Sequence, residues 1–159
     1  MTKEYRKCVG MMILNEHNKI LVGKRIDHPS GYWQMPQGGV DNNENPEEAV
    51  WREMMEEIGT KNAKLLDSST HWVSYDIPKD TLATLPWGDK YVGQKQKWFL
   101  FRFTGNKEEI NVETKNPEFS EYKWVNFNEI LTNVVPFKKR VYEIIVEELK
   151  NLLEKKQKD

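Results

Sequence analysis

The chain has 159 residues, 38% of them hydrophobic and six each of Trp, Tyr and Phe, which suffices for one hydrophobic core and predicts a single domain over residues 1–159. Charged residues make up 31% but leave a formal net charge of -1, so a general polyanion binder is excluded and any affinity for nucleic acid has to come from local basic patches. One cysteine, Cys8, excludes an internal disulfide and a Cys-based zinc site, and His17, His28 and His71 are scattered without metal-ligand spacing.

Residues 9–14 (VGMMIL) and 20–22 flank a polar turn and read as a β-hairpin. A loop of turn formers follows over 28–32, then the segment WQMPQGG at 33–39. A helix is expected from Asn45. Asn suits the N-cap, Pro46 the first helical position, and Glu48 the reciprocal bond of a capping box. Glu47 and Glu48 also suit the positive end of the helix dipole, and Gly59 suits the left-handed residue that ends a helix. Strands are expected around 63–75, 95–104 and 120–126. A long loop over 76–93 carries Trp87; loops of this length in compact domains are often functional, and the sequence does not decide whether this one closes over substrate. The last helix is expected over 136–155, with Val141, Ile145, Leu149 and Leu152 at helical spacing. Strands before, between and after two helices predict an α+β chain whose mixed sheet has helices on its faces. The N-terminus carries no apolar signal-like segment and no run approaches the ~20 residues of a membrane span, so a cytoplasmic protein without membrane contact is expected.

The chemistry concentrates in residues 38–60, GGVDNNENPEEAVWREMMEEIGT. Glu53, Glu56 and Glu57 stand at i, i+3 and i+4 and share one helical face, beside an apolar face of Val50, Trp51, Met54 and Ile58. Three crowded carboxylates repel one another. A divalent cation resolves that repulsion, and hard oxygen ligands suit Mg²⁺ or Mn²⁺. On helical spacing alone, a solvated acidic face is the competing reading.

The segment resembles the Nudix box, G-x5-E-x7-R-E-U-x-E-E-x-G-U with U a bulky apolar residue, through Gly38, Glu44, Arg52, Glu53, Met54, Glu56, Glu57 and Gly59. Thr60 departs from the last apolar position, which touches packing behind the helix rather than chemistry. The resemblance implies an α/β/α sandwich around a mixed sheet. It also implies hydrolysis of phosphoanhydride bonds with Mg²⁺, which Mn²⁺ or another divalent cation can replace. It assigns the metal to Glu53, Glu56 and Glu57 and gives Gly38, Glu44, Arg52 and Gly59 a supporting role, with Arg52 pairing with Glu44 to orient the box. Gln37 and Gly39, in the loop before the helix, are expected to offer backbone groups to metal or phosphate. In such chemistry a metal clamps oxygens and acidifies a water, and no Ser, Cys or His nucleophile is needed. A further carboxylate outside the box is implied as ligand or base. The stretch PEFSEYKWV at 117–125 assigns that part to Glu118.

The segments 33–39, 93–99 (GQKQKWF), 117–125 and 135–142 (VPFKKRVY) resemble one Nudix subgroup, the RNA 5′-pyrophosphohydrolases and dinucleoside polyphosphate hydrolases. Physical reading adds to this. Lys138, Lys139 and Arg140 open the last helix, where cations oppose the dipole unless an anion sits nearby, and Phe137 can stack on a base. An ordinary basic turn with Phe137 in the core is the equal alternative. Strand alternation puts Lys95 and Lys97 on the face of Phe99, Phe101 and Phe103, with Gln94, Gln96 and Trp98 opposite. Either lysine is a phosphate-contact candidate, or both guard a sheet edge. Arg25 is a weaker candidate, since a surface ion pair explains it too. The leading expectation is removal of pyrophosphate from the 5′-triphosphate end of RNA, a step that initiates mRNA decay. The runner-up is cleavage of diadenosine tetraphosphate or similar dinucleotides. A catalytically inactive nucleotide-binding module and a housekeeping nucleotide hydrolase are the remaining alternatives.

Overall fold

The computed structural model describes residues 4–27 and 31–157, so part of the loop expected over 28–32, His28 included, lies outside the described residues. The sheet is built on β1 (Tyr5–Leu14), which runs parallel to β7 (Gly93–Phe103) through ten register pairs from Tyr5–Gly93 to Leu14–Arg102. The far edge of β7 pairs antiparallel with β5 (Ala63–Ser68) and β6 (Val73–Asp76). The other edge of β1 pairs antiparallel with β4 (Gln37–Gly39) and, at Leu14–Ile20 alone, with β2 (Ile20–Arg25). β2 then leaves β1 to pair with β3 (Trp33–Gln34) and β8 (Phe119–Val125). The expected hairpin therefore exists at its turn, where Asn15 Oδ1 accepts from the His17 and Lys19 amides, but its strands part at once. Their parting leaves the β1 edge open for β4.

Helices cover both faces. α1 (Pro46–Ile58) packs Ala49, Val50, Met54 and Ile58 against Val9, Met11, Ile13, Phe99 and Phe101. α3 (Lys139–Gln157) packs Val141, Tyr142, Ile145 and Leu149 against Met12, Leu14, Trp98 and Leu100. Leu153, one residue past the expected Leu152, completes the buried row at i+4 spacing. The mixed sheet with helices on both faces is the expected α/β/α sandwich.

Other expectations shift. The strand expected over 63–75 breaks at buried Ser69, whose hydroxyl accepts from Trp98 N–H and donates to the His71 carbonyl. The 76–93 loop contains a short helix, α2 (Lys79–Leu82). The last helix opens with a 3₁₀ turn, Pro136–Lys138, before α3. Tyr142 ties α3 to the segment entering β4, because its hydroxyl accepts from the Met35 amide at 3.0 Å in a fully buried position. Tyr142→Phe leaves that amide unpaired and is expected to lower unfolding stability by about 1–3 kcal/mol in chemical denaturation. An unchanged midpoint would show that water replaces the bond.

Candidate active site

α1 begins and ends as its sequence dictates. Asn45 accepts from the Glu48 amide at 2.8 Å, Glu48 returns the bond, and Gly59 closes the helix in the left-handed region at φ 74°. These local bonds set the rotation of the helix about its axis. Ala49, Val50 and Met54 then face the sheet, and Glu53 and Glu57, one turn apart, turn inward at 7% and 6% exposure while Glu56 stays exposed. Thr60 fits its apolar slot by bonding: it donates to Glu109 and accepts from the Asn62 amide.

β4 brings its glycines against this helix. A side chain on Gly38 would run into the Glu53 carboxylate, and one on Gly39 into the Arg6 guanidinium. At both positions the crowding comes from side-chain ends rather than from backbone angle, so a larger residue would displace the carboxylate or the guanidinium. Arg52 holds the assembly together. It forks onto Glu44 at 2.9 and 3.0 Å, donates to the Gly39 carbonyl at 2.8 Å, and reaches Glu53 at 2.9 Å and Glu56 at 3.1 Å. The guanidinium holds the Glu44 carboxyl below its usual range. Arg52 thus does in space what its pairing with Glu44 implied.

The result is a cleft of about 810 Å³. Glu53, Glu56, Glu57 and Glu118 line it on one side, with Glu118 delivered by the start of β8, where its carbonyl accepts from the Ile26 amide. Burial, and then Glu118, Glu53 and Glu56, push the Glu57 carboxyl up to about 9. Burial raises Glu53 to about 7, against the opposing pull of Arg52 and with Glu56 and Glu118 adding to the rise. Glu57 Oε2 is buried without a hydrogen-bond partner. Such an acceptor is costly unless something positive meets it. Among the described residues no three acidic, His or Cys side chains are already drawn into a finished ligand set. Arg52 takes up one oxygen each of Glu53 and Glu56. The donor set, all carboxylate oxygens and including the buried, unpartnered Glu57 Oε2, fits a hard divalent cation.

Other residues that line the cleft are aromatic and cationic. Phe137 is half-buried and tilts against Tyr75 with centroids 6.0 Å apart. Lys138 is buried, donates to Gln34 Oε1 at 3.1 Å and stands over the Tyr75 ring. Burial, reinforced by Arg25, lowers its ammonium to about 7. Arg25 lines the cleft but is also forked onto Asp27 at 2.7 and 2.9 Å, so the ion pair weighed against a ligand role is present. Leu85, Pro86 and Trp87 of the 76–93 loop form the rim, with Arg6 stacked 4.8 Å from the Trp87 ring.

Two expected arrangements differ. Lys139 and Arg140 are exposed and off the cleft, so the basic turn contributes Lys138 alone. The 3₁₀ turn aims Lys138 inward, whereas α3 turns the next two residues outward. Lys95 and Lys97 do share the face of Phe99 and Phe101, but that is the α1 face, and neither lines the cleft. Gln94, one residue away, does line it, accepting from the Tyr75 hydroxyl, and Gln96 donates to Gln37 at 2.9 Å. Sequence reasoning did not single out Gln34, Tyr75, Gln94 or the Thr114–Asn116 stretch as cleft residues. Only the alternation in β7, which sets its glutamines opposite its lysines, carried a trace of them.

A carboxylate-bearing helix set against a glycine strand, in a sandwich whose cleft is also lined by aromatic and cationic residues, defines a hydrolase of the Nudix type. The NUDIX domain model matches residues 4–144, and the chain belongs to the Nudix family, whose members generally use divalent cations. It is 48% identical over 150 residues to the RNA pyrophosphohydrolase of Rickettsia conorii and 49% identical to that of Rickettsia canadensis, covering 94% of this chain and 92% of each relative. In structure it is similar to the E. coli dihydroneopterin triphosphate pyrophosphohydrolase (TM-score 0.67, 19% identity, 92% of this chain and 99% of that one). It is also similar to a C. elegans Ap4A hydrolase in a binary complex (TM-score 0.65, 16% identity, 92% and 98%). These two likenesses concern the fold.

Proposed function

We propose that this Nudix hydrolase removes pyrophosphate from the 5′-triphosphate end of RNA, leaving a 5′-monophosphate. The observation that carries the reading is the meeting of two groups in one cleft: four glutamates line it together with an aromatic ring and a buried lysine. A nucleotide polyphosphate has the matching parts, a base for Phe137 and Tyr75 and anionic oxygens for Lys138 and Arg25. The similarity of nearly half the residues to relatives named RNA pyrophosphohydrolase supports RNA as the substrate.

Glu53, Glu56, Glu57 and Glu118 would hold the cation, and Mg²⁺ suits the all-oxygen set, with Mn²⁺ able to replace it. Such a cation neutralises phosphate charge and acidifies a bound water. The protein's own part is positioning. Arg52 and Gly38 fix where the Glu53 carboxylate sits, and Lys138 and Arg25 draw the polyphosphate across the cleft. A cation held there would favour the ionised carboxylates of Glu57 and Glu53, which burial raises above the ordinary range. An RNA left with a 5′-monophosphate is the product expected at the start of mRNA decay, and a cytoplasmic location suits that role.

The test sets a 5′-triphosphorylated RNA beside diadenosine tetraphosphate, each with Mg²⁺. Release of pyrophosphate from the RNA at the higher kcat/KM is the expected result. Hydrolysis of the dinucleotide alone would make this a dinucleoside polyphosphate hydrolase. No hydrolysis of either, with any divalent cation, would leave a binding module.

A further inference from the structure

The α1 face of the sheet ends in lysines that, among the described residues, form no ion pair. Lys7 on β1 is the register partner of Lys95 on β7, and Lys97 follows two residues along the same face, beside Val9. Like charges directly opposite one another on a sheet destabilise it unless something neutralises them. Among the described residues none of the three reaches a carboxylate within salt-bridge distance. The acid that the same face offers in β6, Asp76, accepts a 2.6 Å bond from Tyr5. Edge protection does not explain these lysines, because β7 is paired on both sides and β1 is flanked by β7 and β4. α1 covers Val9 and Phe99 but leaves Lys7 exposed. Beside them Trp72, 39% exposed, presents its ring 5.9 Å from the Lys95 ammonium.

We infer that Lys7, Lys95, Lys97 and Trp72 bind the RNA strand beyond its 5′ end, as a second contact surface outside the cleft. The inference rests on RNA being the substrate. Its chemistry is that of single-strand binding without sequence preference, in which cations follow phosphates and an aromatic ring receives a base. Its location fits a strand leaving the cleft. Arg6 and Gln94 line the cleft, and Lys7 and Lys95 are the next residues on the opposite face of the same two strands. Those strands begin at Tyr5 and Gly93, so both pairs of residues stand within the first three positions of their strands, at one end of the sheet.

The experiment compares a 5′-triphosphorylated RNA of roughly twenty nucleotides with a 5′-triphosphorylated dinucleotide. kcat/KM for each is measured from about 50 to about 200 mM salt. In the wild type the long RNA is preferred, and the preference fades with salt. In a Lys7→Gln, Lys95→Gln, Lys97→Gln triple variant the long-to-short ratio falls. Its log–log salt slope flattens by about 2, at about 0.7 per phosphate contact, which is roughly twentyfold across that range. Lys7→Gln alone, at an exposed position, flattens it by about 0.7. Trp72→Ala lowers the ratio several-fold without changing the slope. If wild type hydrolyses both RNAs and the triple variant keeps the wild-type ratio and slope, the surface does not bind RNA, and an acidic protein is the occupant its charge would suit. If wild type hydrolyses neither RNA, the substrate reading falls and this surface assignment falls with it.

Discussion

Glu57→Gln is expected to lower kcat at saturating Mg²⁺ by at least about 10²-fold, since even the outer partners of metal ligands are worth about 10–100-fold. The same substitution is expected to stabilise the metal-free protein at alkaline pH. Burial and three neighbouring carboxylates hold the Glu57 carboxyl at about 9, against an ordinary 4.5. A carboxyl raised on folding contributes stability below its unfolded value and loses it as pH climbs through the folded value. In chelator, the wild type should therefore lose stability between about pH 4.5 and about pH 9. Glu53 adds to the loss up to about pH 7. Lys138 acts the other way. Its ammonium is lowered to about 7 from 10.5, so its contribution grows with pH in that window. The difference between wild type and Glu57→Gln removes the Lys138 contribution and leaves that of Glu57 together with its coupling to the neighbouring carboxylates. Thermal unfolding in chelator across this range checks it, with Mg²⁺ restoring the wild type but not the variant. Parallel pH profiles for the two proteins would show that Glu57 is not held protonated.

Gly38→Ala is expected to separate activity from stability. The added methyl occupies the place of the Glu53 carboxylate. A side-chain end can swing aside, so the unfolding midpoint should move little. Activity cannot tolerate that swing, because the displaced group is one of the four facing the cleft, and a misplacement of about 1 Å can reduce rate by about 10²-fold. Steady-state kinetics beside chemical denaturation distinguishes the cases. A large drop in midpoint would mean that β4 itself has moved. Full activity would mean that Glu53 reaches its working position by another rotamer.

Much of α1 was legible without coordinates. Its cap, its proline, its terminal glycine and its carboxylate spacing all work through bonds within four residues. The basic turn was legible as composition but not as geometry. Three cations in a row carry no sign of which one a 3₁₀ turn will bury, and Lys138 alone goes inward. The strand of alternating lysine and glutamine was correctly divided into two faces, yet the lysines were the residues singled out for phosphate. Which face meets the cleft depends on the helix that covers each side, and that is absent from the alternation itself.

The sequence by itself determined the acidic helix, the glycine segment placed before it and the two-helix, mixed-strand order, because capping, dipole and periodicity act at short range. Tertiary structure alone decided the burial of Glu57, the arrival of Glu118 beside it and the union of Tyr75, Gln94, Phe137 and Lys138 in one cleft. Those depend on a parallel pairing of β1 with β7 across more than eighty residues and on β2 parting from β1 after a single pair. Such pairings are chosen by the packing of the whole sheet between two helices, where burial of both faces outweighs any local preference.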